Sequence, residues 1–128
     1  MITVGFIVVA LAALLHVYIF YLESVIWTSE KARATFGTTE SEALATKALA
    51  FNQGFYNLFL AVLIIAGAIL YFSGYNTAGS TLALAGAGSM TAAALVLLLS
   101  SPDKRAAALK QGVIPAIGIV LLVIGLAM

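Results

Sequence analysis

The chain has 128 residues, of which 63% are hydrophobic and 9% charged, and it contains no cysteine. Soluble domains carry roughly 25% charged residues, and so few charges would leave a folded surface too apolar for water. The composition excludes a disordered chain, a disulfide-stapled domain and thiolate chemistry, and a net charge of +1 without a basic tract gives no footprint for nucleic acid. A mean hydropathy of +1.14 points to an integral membrane protein.

The first predicted element runs from Ile2 to Trp27, long enough for the roughly 20 residues a membrane-spanning helix needs. It is not expected to be a cleaved signal, because it lacks a basic start, is too long and carries His16 and Glu23. A polar stretch, Thr28 to Lys47, follows as the first loop. Within it Thr39-Glu40-Ser41-Glu42 fits a capping box, so the second helix is expected to start near Glu40 and to enter the apolar layer near Ala48, ending near Phe72. Ser73-Gly74-Tyr75-Asn76 reads as a tight, uncharged turn. The third span is expected over about Thr81 to Leu99. Ser101-Pro102-Asp103 reads as an N-cap, a proline at the first helical position and an acid in the first turn. The fourth span, about Gly112 to Met128, is short unless it begins earlier, and Pro115 is expected to kink its start. No run alternates with period two, which excludes a β-barrel. The expected fold is an all-α, integral membrane four-helix bundle forming one domain over residues 1–128.

All six cations fall in the first and third loops: Lys31, Arg33 and Lys47, then Lys104, Arg105 and Lys110. The Lys/Arg bias places both loops in the cytoplasm and both termini outside, in a multi-pass protein of the cell membrane. Small residues recur at helical spacing on the third span (Gly79, Ala83, Ala87; Ala85, Ser89) and on the fourth (Gly118, Gly125). They predict close helix packing within the chain, with a homodimer face as the alternative.

Polar groups inside a bilayer are costly, and they mark function or a required internal bond. On the first span His16, Phe20, Glu23 and Trp27 are spaced by four, three and four residues, which at about 100° per residue places them within an arc of about 60°. Tyr18 points nearly the opposite way. The second span carries Asn52-Gln53-Gly54-Phe55-Tyr56-Asn57 soon after entering from the same side, and Gly54 leaves room for a helix or a ligand to approach. Gln111 stands at the same end of the fourth span. The candidate ligand-binding or proton-exchange residues are therefore His16, Glu23, Trp27, Asn52, Gln53, Tyr56, Asn57 and Gln111. Each also has a plainer reading: Trp27 as an interfacial anchor, the carboxamides as bonds between helices, His16 as an internally satisfied side chain. One histidine and one intramembrane carboxylate supply a metal site poorly, so neither metal nor cofactor is expected.

The run His16-Val17-Tyr18-Ile19-Phe20-Tyr21-Leu22-Glu23, with Trp27, Phe36-Gly37, Asn52-Gln53-Gly54-Phe55-Tyr56-Asn57, and Gln111 with Pro115-Ala116, resembles a family of small four-span membrane proteins, mainly bacterial, catalogued as a domain of unknown function. The resemblance covers nearly the whole chain. It implies that the two principal motifs belong together and supplies no reaction.

Three functions fit these residues. The first is a protein that binds or transports a small polar or amphipathic molecule through a cytoplasm-side pocket, for which a chain this small is expected to need a homodimer. The second is a membrane enzyme, isomerase-like, using Glu23 and His16 as acid and base on a lipid-like substrate. The third is a structural or accessory subunit. Membrane lipids and a small-molecule ligand are the expected partners, and no nucleic acid.

Overall fold

The computed structural model describes residues 1–128. Helix α1 (Ile2–Phe20) continues as a π-helical turn (Tyr21–Val25); α2 (Glu30–Phe36) is short; α3 (Glu40–Phe72), α4 (Asn76–Ser100) and α5 (Arg105–Ala127) are long, and a 3-10 turn (Pro102–Lys104) leads into α5. There are no strands, and four helices are long and apolar enough to cross a membrane. A spanning helix bonds every backbone group internally, which is the only open-ended way for a single segment to enter hydrocarbon.

The four long helices form a ring in chain order, α1 beside α3, α3 beside α4, α4 beside α5, and α5 back against α1. Successive spans therefore alternate in direction, and the two charged loops lie together at one end. Lys104 Nζ donates to the Phe36 carbonyl at 2.8 Å, joining the first loop to the third. At the opposite end Phe6 stacks on Tyr71 and Phe72 at centroid distances of 4.7 and 5.2 Å. Between the ends lies a core of small and branched side chains, Val9, Ala12, Ala61, Ile64, Ala87 and Leu122 among them.

Small residues set the helix spacing. A Cβ on Gly79 would meet the Tyr71 backbone, and one on Gly67 would lie 2.6 Å from the Ala83 nitrogen, so α3 and α4 touch backbone to backbone. Ala83 and Ala87 are fully buried inside the bundle, whereas Ala85 and Ser89 face outward. The Gly79-Ala83-Ala87 stripe is thus consumed by packing within the chain and is not free to form a dimer face. Gly118 and Gly125 meet α1 at Val9 and Ile2 in the same way.

Several boundaries differ from expectation. The Thr39–Glu42 capping box is present: the Thr39 N–H donates to Glu42 Oε2 at 2.8 Å, and the Glu42 N–H donates to Thr39 Oγ1 at 3.3 Å. The third span starts at Asn76, earlier than Thr81, and leaves the turn no more than three residues. The fourth span starts at Arg105, two turns before Gly112. Arg105-Ala106-Ala107-Ala108-Leu109-Lys110 is made of strong helix formers, and that propensity outweighs its charge. Ser101 does not cap with its side chain. Helix α5 runs unbroken through Pro115, which is buried and cannot donate to the Gln111 carbonyl.

The first loop is not a simple connection. Ser29 Oγ accepts from the Ala32 N–H at 3.2 Å and starts α2; Gly37 ends it at φ +66, a left-handed position open to glycine. This helix of about two turns buries Ala32.

Candidate functional site

The site begins with an irregularity in the first span. Across Tyr21–Val25 the backbone bonds reach five residues instead of four, closing with Ile26 N–H to the Tyr21 carbonyl at 3.2 Å. The extra residue in the turn rotates the residues beyond it by about 100° relative to an ideal helix. Across this turn His16, Glu23 and Trp27 of the expected stripe still line one cavity. Phe20 stacks edge-on against Phe55, and Trp27 lies beyond the helix. Bulges of this kind recur at functional sites.

Helix α3 meets the bulge at Gly54. A Cβ there would lie 3.1 Å from the Phe20 carbonyl oxygen and would collide with Ser24 Oγ. The approach is thus made by a neighbouring helix. Ser24 Oγ donates to the Phe51 carbonyl at 2.8 Å, and further along α3 Asn57 Nδ2 donates to Glu23 Oε2 at 2.8 Å. Asn57 also donates to the Gln53 carbonyl of its own helix at 3.2 Å. Glu23 therefore turns inward toward the second span and is only half-buried.

These groups open onto a cavity of about 310 Å³ at the charged end. His16 and Glu23 from the first span, Gln53 and Asn57 from α3 and Gln111 from α5 line it, with Trp27 and Thr38 from the first loop and Lys104 from the third. Ligand pockets are commonly about 300–1,000 Å³, so one protomer encloses enough space for a small molecule. A broader open cleft of about 770 Å³ adjoins it, sharing Glu23, Trp27, Thr38, Gln53 and Lys104. Asn52 and Tyr56 line this outer cleft and not the inner cavity, and Tyr56 is 65% exposed. Six of the eight sequence-selected residues thus share the inner cavity, and two stand at its approach.

The polar groups differ in how they are occupied. His16 is buried, with Nδ1 2.9 Å from the Ala12 carbonyl. A carbonyl only accepts, so Nδ1 carries the proton and Nε2 of the neutral ring is an acceptor. His16 and Glu23 are not bonded to each other. Trp27 Nε1 donates to Thr46 Oγ1 at 3.2 Å, and its ring stacks on Phe36 at 5.2 Å. The indole therefore fastens the first loop to α3. Thr38 Oγ1 is buried with no hydrogen-bond partner, and Arg33 Nε shares that condition. Most buried polar atoms in native proteins are paired, and an exception calls for an explanation.

Thr38, Lys104 and Phe36 escaped the sequence-based choice of site residues. Two signals were available for α2: serine before Glu30 and glycine after Phe36 mark the start and stop of a helix. Lys104 reaches Phe36 across 68 positions of sequence, and no local pattern encodes that contact.

A family model described as "Protein of unknown function (DUF1304)" matches residues 10–123. The chain belongs to that family. The match spans His16, Glu23, the Asn52–Asn57 segment and Gln111, and so takes in every residue of the cavity. No curated protein and no solved structure matches the chain.

Proposed function

We propose that this DUF1304 protein binds, and by that binding transports, a small polar or amphipathic molecule that enters at its charged-loop end. The Lys/Arg bias argues that this end faces the cytoplasm and that both termini lie outside the cell membrane. One observation supports the reading: polar side chains from three spans and both charged loops surround one cavity. Glu23 would accept from a donor or balance a positive group, Gln53 and Gln111 would hydrogen-bond, and Lys104 would meet an anionic part at the mouth. The far half of the bundle is tightly packed, so binding from the charged end comes first and passage requires a separate opening. Residues of one protomer line the whole of this cavity.

Mass spectrometry of small molecules released from the detergent-purified protein tests this reading. Native protein is expected to release a polar compound that Asn57→Leu and Gln111→Leu variants, purified in the same way, do not retain. An identical set of released compounds from all three would contradict it.

A further inference from the structure

The seam between α1 and α5 is closed over part of its length and open beyond. A Cβ added to Gly125 would lie 2.6 Å from the Ile2 nitrogen, and one on Gly118 would lie 2.5 Å from Val9 Cγ1. The two helices run antiparallel, and seven residues further toward the charged end the facing positions are Gln111 and His16. Seven residues is about two turns, so Gln111 continues the α5 face that carries Gly118 and Gly125. A long carboxamide stands there where the face otherwise has glycine, and the helices are spread around it. The polar cavity lies on the inner side of this opening, and a groove of about 310 Å³ lies on the outer side. Leu15, Ile19 and Leu22 of the first span wall the groove, with Ala106 and Ala107 of α5 opposite. Phe36, Ala107 and Gln111 line both spaces, so a partition one side chain thick divides them, and Ala107 contributes only a methyl group to it.

Within the cavity Glu23 has one side-chain donor, Asn57, and no cationic partner: the one salt bridge of the protein joins Lys104 to Asp103. The Trp27 and Phe36 rings belong to the same lining. A carboxylate beside aromatic faces suits an ammonium group, which both attract. We propose that the seam at Gln111 is a lateral portal for a long-chain amine, with the ammonium at Glu23 and the hydrocarbon chain passing over Ala107 into the outer groove. The inference rests on the binding function proposed above and narrows its ligand to an amphipathic cation. The groove lies along helices that cross the hydrocarbon layer, where an apolar chain already resides, so only the head has to leave the boundary for the cavity. Entry through the seam leaves the tightly packed far half of the bundle undisturbed.

Photolabelling of the full chain in phosphatidylcholine nanodiscs tests the portal. The probe is a long-chain primary amine with a diazirine within its chain, and the comparators are the carboxylate of the same chain and the alkane without a head. The amine is expected to label Leu15, Ile19 and Ala106 in excess of Val120, an exposed residue of α5 outside the groove, and the alkane to show no such excess. Glu23→Gln keeps the size of the side chain and should lower the excess roughly tenfold, the factor that goes with one hydrogen bond to a charged group. Ala107→Phe fills the partition and should abolish the excess; Ala106→Phe, at an exposed position, gives the same test should Ala107→Phe not fold. Ile117→Phe, on the outward face of α5, should change nothing. An equal excess with the alkane, a greater one with the carboxylate, or an excess that survives Glu23→Gln or the groove-filling variants would overturn the proposal. A polar compound released from native protein but not from Asn57→Leu, together with no excess labelling by the amine, would refute the portal and leave the binding function standing.

Discussion

At the end that carries the termini, α3 and α4 approach until Gly67 and Gly79 touch backbone, and Phe6, Tyr71 and Phe72 fill what space is left. At the charged end the spans and both charged loops enclose a cavity lined in part by polar side chains. Lipid gives spanning helices no hydrophobic reason to associate, so the first end is held by close van der Waals contact. The second end has close contacts too, at Gly54 and Gly112, and adds individual bonds: Asn57 to Glu23, Ser24 to Phe51, Trp27 to Thr46 and Lys104 to Phe36. The two ends should respond differently to substitution.

The largest effect is expected at the close-packed end. Gly79→Leu has no space against the Tyr71 backbone and should destabilise by about 3 kcal/mol or more, or prevent folding. A thermal midpoint in detergent reads this directly, and an unmoved midpoint would mean that α3 and α4 are not in backbone contact. At the open end, Asn57→Leu should cost about 1–3 kcal/mol, because Glu23 loses its one side-chain donor. Adding Glu23→Leu to that variant should recover part of the loss, since the stranded carboxylate is then gone; a double-mutant cycle without coupling would place the two side chains apart.

Smaller effects separate the loops from the spans. Thr39→Ala removes the capping box and should cost about 1 kcal/mol, visible as faster proteolysis near the start of α3 while the thermal midpoint of the bundle moves little. Thr38→Val should leave stability unchanged or raise it slightly, since its hydroxyl bonds to nothing in the protein. A clear loss of stability at Thr38 would show that the hydroxyl serves the fold.

The two ends also differ in how far the sequence reveals them. Close packing was legible in the four-residue spacing of Gly79, Ala83 and Ala87, because small side chains at that interval have one principal use in a membrane helix. The pairing of Glu23 with the Asn52–Asn57 segment was legible from depth alone: both lie shallow on the charged side, and a carboxylate there needs a donor. The π-helical turn was not legible, because one extra residue in a turn changes no composition and leaves no periodic signal. It takes Trp27 beyond the regular helix, yet Trp27 still lines the cavity with His16 and Glu23. Lys104 read as a loop cation that fixes orientation, yet it closes the cavity through a contact that only the folded chain creates.

If the charged end holds a polar cavity open to water while the middle of the bundle is closed, the two regions must differ in their access to a polar reagent. The chain has no cysteine, so single-cysteine labelling needs no background removal. Two variants, Gln111→Cys in the cavity and Ala87→Cys in the core, should be compared in sealed membranes with a water-soluble, membrane-impermeant thiol reagent. Gln111→Cys is expected to react, from the charged-loop side alone, and Ala87→Cys is expected not to react from either side. Protection of Gln111→Cys from both sides, with the protein folded, would contradict the open cavity.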